Sequence, residues 1–284
     1  MEKIINQLID NQIENEKSKD YPNTYLGEDG LKYCTTCNEP VQSRRENIIT
    51  GNTFLVARNC LCARNRIAEN ERIMKARKEE QAFKDRQKDC FGKFLSLYNC
   101  TFESSSCDSE TFDYAKRLAN DFDKYKDTSA GVLFWGKFRT SKTYMACAVA
   151  NHIMKQGYTA KLIKLSDTIK DVFKEIDKNS FLDRLQEYNL LIIDDLGVEK
   201  KTEYNLEIIY KIIDDRLTHK KPMIITTNLT LDEIKHPESR ELARIYCRIE
   251  ENYIPILFEE NLNVDKGYNK RLIAEILQGG KYER

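Results

Sequence analysis

From residue 131 onward, short apolar runs alternate with stretches whose apolar residues recur at helical spacing. The runs are GVLFW, AKLIKL, LLIID, MIITT and IPILF. Between them the spacing predicts a helix from Lys142, a long one over 167–188, and further helices over 204–218 and 241–252. Runs this continuously apolar belong to strands covered on both faces. The pattern predicts an α/β domain with a parallel sheet flanked by helices.

The first half of the chain has another texture. Residues 1–20 read as a short polar helix with Ile4, Ile5, Leu8, Ile9 and Ile13 at helical spacing. A turn-rich stretch follows, YPNTYLGEDGLKYC, with Pro and Gly where a small irregular module needs them. Residues 63–88 carry nine Lys/Arg against five Asp/Glu with no Gly or Pro, which predicts a solvated helix between two domains. It serves either as a spacer or as a basic arm touching nucleic acid. The expected division is an N-terminal module over 1–62, a charged helical linker over 63–94 and an α/β domain over 95–284.

Composition narrows the class. At 284 residues the chain is long enough for roughly two domains. Lys plus Arg (46) equals Asp plus Glu (46), so any affinity for a phosphate backbone must come from local clusters. No apolar run approaches the roughly 20 residues of a membrane helix. The start, MEKIINQLIDNQIENEK, has neither an apolar core nor a small-residue cleavage site. A cytoplasmic protein without a membrane partner is expected. Nine cysteines in such a chain point to metal binding rather than disulfides.

The most informative motif follows the first strand. GVLFW runs into GKFRTSKT and then into a helix, the context that a Walker A phosphate-binding loop requires. Backbone N–H groups of Gly136, Lys137, Phe138, Arg139, Thr140 and Ser141 would surround the phosphates at the helix N-terminus. Lys142 would reach the β and γ oxygens, and the Thr143 hydroxyl would bind Mg2+. The match is incomplete, because Ser141 and Arg139 stand where such loops carry glycine. Arg139 either adds a third cation beside Lys137 and Lys142 or obstructs the nucleotide. The loop by itself is therefore either an ATP site or a vestigial strand–helix turn.

NLLIIDDLG reads either as the second half of such a site or as a strand followed by an Asp-rich turn. A buried strand delivers Asp194 and Asp195 at its C-terminal end, where ligands of parallel sheets bind. Asp194 would hold magnesium through water, and Asp195 would polarise the attacking water. PMIITTN ends in Thr226, Thr227 and Asn228, and a polar residue there could orient the water or sense the γ-phosphate. Of the scattered cysteines only Cys147 has a place, as core on the inner face of the helix after the loop. Near the N-terminus, Cys34-x2-Cys37, 22 intervening residues and Cys60-x-Cys62 supply four thiolates, the number that a closed tetrahedral Zn2+ site takes. Free thiols are the alternative.

Three segments carry a family resemblance: GVLFWGKFRTSKTYMACAVAN, LLIIDDLGVEKKTEYNLEIIYKIIDDR and KPMIITTNLT. Over about residues 95–275 the chain resembles the AAA+ helicase loaders of the DnaC/DnaI type and the related ATP-binding proteins of insertion-sequence transposition. Most specific is Asp-Asp-Leu-Gly followed by Glu199 and a helix ending in Ile-Ile-x-x-Arg. The resemblance implies a P-loop AAA+ ATPase that self-associates, binds single-stranded DNA and places arginines of one subunit at the nucleotide of the next. ARIYCRIEEN resembles the arginine-finger helix, with Arg248 the best match and Arg244 the second. GYNKR resembles the lid segment bearing a sensor arginine, which would be Arg271. YLGEDGLKYCTTCNEPVQ resembles the amino-terminal zinc modules of loaders from Firmicutes and their phages, which contact the hexameric replicative helicase.

The leading expectation is thus an ATP-dependent loader that deposits the replicative helicase on single-stranded DNA. A catalytically inactive adaptor on the same fold, or a transposition-regulating ATPase, are the alternatives. The cysteine module favours the loader. A free-standing zinc-finger DNA reader would need a recognition helix that the module lacks.

Overall fold

The computed structural model describes residues 21–49, 51–103, 110–174 and 177–259. The helix expected over 1–20 and Arg271 lie outside the described residues. The chain divides into two compact units, residues 1–80 and 81–284.

In the first unit, β1 (Thr24–Leu26) pairs antiparallel with β2 (Lys32–Cys34), and β3 (Gln42–Glu46) with β4 (Thr53–Ala57). The chain then enters helix α1 (Leu61–Phe91). Among the described residues of this unit, the buried apolar side chains are Cys34, Val41 and Cys60, with Tyr21, Cys37, Cys62 and Ala63 partly buried around them.

The second unit contains α2 (Glu110–Asn120), α3 (Phe122–Tyr125), β5 (Gly131–Trp135), α4 (Lys142–Lys155), β6 (Ala160–Lys164), α5 (Leu165–Lys174) and α6 (Lys178–Arg184). It continues through β7 (Leu190–Leu196), α7 (Glu203–Thr218), β8 (Met223–Thr227), α8 (Leu231–Lys235), α9 (Arg240–Asn252) and β9 (Tyr253–Leu257). The strands form one parallel sheet in the order β6-β7-β8-β5-β9. The expected α/β class and all five expected strands are borne out. Alternation within β7 explains its unbroken apolar run. Leu190 and Ile192 face one core with Met145, Val149 and Ile153 of α4, and Leu191 and Ile193 face the other with Ile169, Ile209, Ile213 and Ile245. Each such side chain contributes about 1.5–3 kcal/mol through burial. Cys147 is fully buried in the first core, as expected.

Two readings of the sequence are corrected. The single helix expected over 167–188 is broken into α5, α6 and a 3-10 turn at Leu185–Glu187. The Asp177 carboxylate accepts the Ser180 N–H at 3.2 Å, so a side-chain cap starts a new helix there. The charged helix also has a different fate along its length. From Gln81 it belongs to the sheet unit, where Gln87, Cys90 and Phe91 are buried. Gln87 Nε2 donates to Asn151 Oδ1 at 2.8 Å, and Arg86 Nε donates to the Met154 carbonyl at 2.9 Å. The compact unit thus starts well before residue 95.

The arginine closing the Ile-Ile-x-x-Arg pattern is a structural clamp. Arg216 is fully buried and donates to the carbonyls of Leu185, Tyr188, Asn189 and Pro222 at 2.7–3.3 Å. It ties the entries of β7 and β8 together at the end opposite the site described next. Burial lowers its pKa to about 9, which still leaves it charged at neutral pH. Among the described residues no helix is long and apolar enough to cross a membrane.

Candidate nucleotide-binding site and cysteine cluster

Strand β5 ends at Trp135 and the chain turns through Gly136 into the loop before α4. Gly136 has φ of 137°, and a Cβ there would come within 2.4 Å of the Phe258 carbonyl, so only glycine fits. Arg139 and Ser141 adopt left-handed backbone, with φ of 65° and 67°. At these two positions the loop follows a glycine path without glycine, held by its surroundings against a cost of about 1–2 kcal/mol per residue. The Phe138 and Arg139 side chains are exposed. Ser141 is the N-cap of α4, yet no side chain caps that helix and its first turn holds no acid. The helix N-terminus is thus open to an anion.

Lys142 is only 5% exposed, and its ammonium lies beneath the loop. Nζ donates to the carbonyls of Gly136 and Lys137 at 2.8 and 2.7 Å and to Thr140 Oγ1 at 3.2 Å. Burial lowers its pKa, while Asp195 and Asp194 oppose that shift. Thr140 is buried and donates to the Lys137 carbonyl at 2.9 Å, which closes the turn.

The carboxylates arrive from β7. A register shift between Ile193 and Leu196, with Asp195 at φ 59°, turns the strand end so that both aspartates serve the site. Asp194 is 1% exposed. Its Oδ1 accepts from Thr143 Oγ1 at 2.7 Å and from Thr226 Oγ1 at 2.9 Å. Its Oδ2 is buried without a hydrogen-bond partner, with Lys164 Nζ at 3.6 Å. A buried carboxylate oxygen of this kind, beside the Thr143 hydroxyl, suits a hard divalent cation. The pKa of Asp195 is raised, first by burial and then by the Asp194 charge. Asn228 Nδ2 lies 3.4 Å from Asp195 Oδ1, and the Asp195 N–H donates to Thr226 Oγ1. Glu199 is folded back so that its carboxylate accepts the Gly197 N–H at 2.9 Å, and burial raises its pKa.

Gly136, Thr140, Lys142, Thr143, Asp194, Asp195, Thr226 and Asn228 thus meet at the C-terminal ends of β5, β7 and β8. Residues 66–237 match the family described as IstB-like ATP binding protein. The chain belongs to that family. As an IstB-like protein it is 29% identical over 145 residues to the replicative helicase loader DnaC of Escherichia coli (strain K12), across 48% of this chain and 58% of the loader. It is 28% identical over 123 residues to the replicative helicase loader DnaI of Bacillus subtilis (strain 168), across 39% of this chain and 38% of that protein. The chain therefore spans less than two thirds of the length of either loader. Crystal structures of DnaI and of the DnaC helicase loader share the fold, each with a TM-score of 0.51 over 58% of this chain. They are 20% and 22% identical to it, and 94% and 99% of their own chains are covered.

Arg248 stands apart from this cluster. It lies on α9 with its Nε 3.2 Å from Asp214 Oδ1 of α7, and Arg244 lies over the Tyr210 ring at 4.4 Å. Two contributors had no clear sequence signal. Lys164 reads as an ordinary strand-end charge, and the role of Phe258 depends on its backbone rather than its side chain.

In the IstB-like protein's first unit, the sulfurs of Cys34, Cys37 and Cys60 lie within 4.8 Å of one another, and the Cys62 thiol hydrogen-bonds Cys37. Backbone N–H groups of Cys62 and Glu39 hold the Cys37 pKa down to about 6, and those of Cys37 and Thr36 lower Cys34. These N–H···S contacts favour the thiolate at Cys34 and Cys37, the form that binds metal, whereas the Cys37 sulfur pushes Cys62 up to about 11 and Cys60 is also raised. Glu39 accepts the Leu61 N–H at 2.7 Å and Arg64 Nη2 at 2.8 Å, which locks the two cysteine pairs together.

The left-handed residues yield a direct test. Ser141→Gly and Arg139→Gly each remove a strained conformation but add unfolded-state entropy, for a net gain of up to about 1 kcal/mol. In a domain of this size the gain raises Tm by roughly 2–4 °C. Calorimetry checks it, and a fall in Tm for both would mean that neither position is strained.

Proposed function

We propose that this chain is an ATP-dependent loader that deposits a replicative DNA helicase on single-stranded DNA. The observation carrying this reading is the meeting of Lys142, Thr143, Asp194, Asp195 and Asn228 in one site, in a chain whose relatives are named replicative helicase loaders.

In this reading the loop N–H groups from Gly136 to Ser141 and the N-terminus of α4 cradle the phosphates of ATP. Lys142 turns its ammonium from the loop carbonyls toward the β and γ oxygens. Thr143, and Asp194 through water, would hold Mg2+, which would supply neutralisation of phosphate charge. Asp195, with its raised pKa, accepts a proton from the attacking water, and Asn228 orients that water through its contact with Asp195. Arg248 of a neighbouring copy stabilises the charge that develops on the transferred phosphoryl group, so turnover requires self-association. Arg271 is the sensor arginine of the same scheme. Cys34, Cys37, Cys60 and Cys62 hold Zn2+, and the module they shape grips the hexameric helicase.

The test is deposition of a hexameric replicative helicase on circular single-stranded DNA, followed by unwinding of an annealed strand. The natural protein should raise unwinding in the presence of ATP, and Asp195→Asn should bind helicase and nucleotide yet fail to support it. If the natural protein neither binds nor deposits the helicase, the loader reading is wrong. The adaptor reading draws on Arg139 and Ser141, and full deposition by Asp195→Asn would favour it.

A further inference from the structure

Helices α7 and α9 pack against each other and carry matched pairs of residues one turn apart. Tyr210 and Asp214 lie on α7, and Arg244 and Arg248 lie on α9, so each pair shares one helix face. Contacts within and between the helices link these residues. The Arg244 guanidinium lies 4.4 Å over the Tyr210 ring, and Arg248 Nε lies 3.2 Å from Asp214 Oδ1. The Tyr210 hydroxyl donates to the same Asp214 oxygen at 3.4 Å. At the backbone, Asn252 Nδ2 donates to the Arg248 carbonyl at 2.8 Å.

Stability alone accounts poorly for this lattice. Arg248 is 43% exposed and Asp214 35%, and an ion pair this accessible adds little to folding. Orientation is a better account. Arginine has many rotamers, and ordering them during catalysis slows the step that needs the guanidinium. Ion pairing at Nε engages the near edge of the guanidinium, which leaves Nη1 and Nη2 as the edge able to fork onto phosphate oxygens.

We infer that Asp214, steadied by Tyr210, is a positioning residue that presets Arg248 for the nucleotide of a neighbouring copy. This rests on the proposed reading of Arg248 as a trans-acting arginine. Asp214 touches no substrate and acts through Arg248 alone. Helix α7 also starts shortly after the Asp194–Asp195 strand end, so one subunit's carboxylates and the support of its outgoing arginine share an element.

The experiment measures ATPase rates in the assembled full chain and binding of a fluorescent ATP analogue. It compares the natural protein with Asp214→Asn, Asp214→Glu, Arg248→Ala and the Asp214→Asn/Arg248→Ala double variant. Asp214→Asn should bind the analogue within about twofold of the natural protein and lose turnover roughly tenfold. Asp214→Glu, which keeps the carboxylate, should recover most of that loss. The double variant should be no slower than Arg248→Ala alone, because Asp214 then has nothing left to position. Two results overturn the inference while leaving the finger intact. One is natural turnover by Asp214→Asn when Arg248→Ala is inactive, and the other is the same roughly tenfold loss in the Arg248→Ala background. Undiminished turnover by Arg248→Ala, or none by the natural assembly, removes the finger reading and the role of Asp214 with it.

Discussion

Lys142→Ala is expected to abolish nucleotide binding while the domain remains folded. Lys142 Nζ is the buried cation beneath the loop, with three oxygen partners between 2.7 and 3.2 Å. Charge-assisted bonds to phosphate oxygens are about twice as strong as neutral ones. Losing this ammonium should weaken affinity at least 100-fold, or about 2.7 kcal/mol. Some stability goes as well, because the Gly136 and Lys137 carbonyls lose a donor in a buried place. Titration of a fluorescent ATP analogue in magnesium reads the effect, with circular dichroism as the check on folding. Natural affinity on the order of micromolar, lost in the variant, is the expected outcome. Equal binding by both proteins would place the nucleotide elsewhere. No binding by either folded protein would mean that Arg139 and Ser141 close the loop, and the adaptor reading would then lead.

On the proposed zinc reading, removal of metal from the cysteine cluster should have the other large effect, confined to the first unit. Its two hairpins bury little beyond Cys34, Val41 and Cys60. A structural zinc contributes about 10–16 kcal/mol of apparent binding energy at neutral pH, far more than that core supplies. Chelation, or Cys60→Ser, should unfold β1 to β4 and leave the melting of the sheet domain unchanged. Amide spectra of residues 24–57 would collapse toward random-coil positions, and elemental analysis of the natural protein would give one zinc per chain. Spectra unchanged by chelation, in a protein without bound metal, would identify four free thiols instead. On the proposed loader reading, binding to a replicative helicase should disappear along with the fold of the module.

Much of the architecture could be read from the residues because a parallel sheet buried on both faces leaves an unusual trace. Leu190–Ile193 has no polar alternation because successive side chains enter two different cores. The P-loop was legible through spacing, and Asp194 and Asp195 through their place at the end of an apolar run. Boundaries inside charged stretches were less legible. The stripe that seats residues 81–94 on the sheet domain is only Phe83, Gln87, Cys90 and Phe91, and a buried glutamine carries no apolar signal. The break at Asp177 was missed for a similar reason, since an aspartate within a helical pattern reads as surface until its carboxylate is seen to cap.

By itself the sequence determined which elements form and which chemical groups stand at their ends, because both follow from local periodicity and spacing. Tertiary structure decided how those groups meet. Thr226 reaches Asp194 across 32 residues of chain, Thr143 reaches it across 51, and Asp214 engages Arg248 between two helices. Only packing of distant segments can specify such contacts, and nothing in one segment encodes its partner. The loop before α4 is the sharpest case. Residue type argues against left-handed backbone at Arg139 and Ser141, yet both adopt it. The Lys142 anchor below and the Phe258 backbone against Gly136 hold the turn, so the surrounding fold outweighs the local preference.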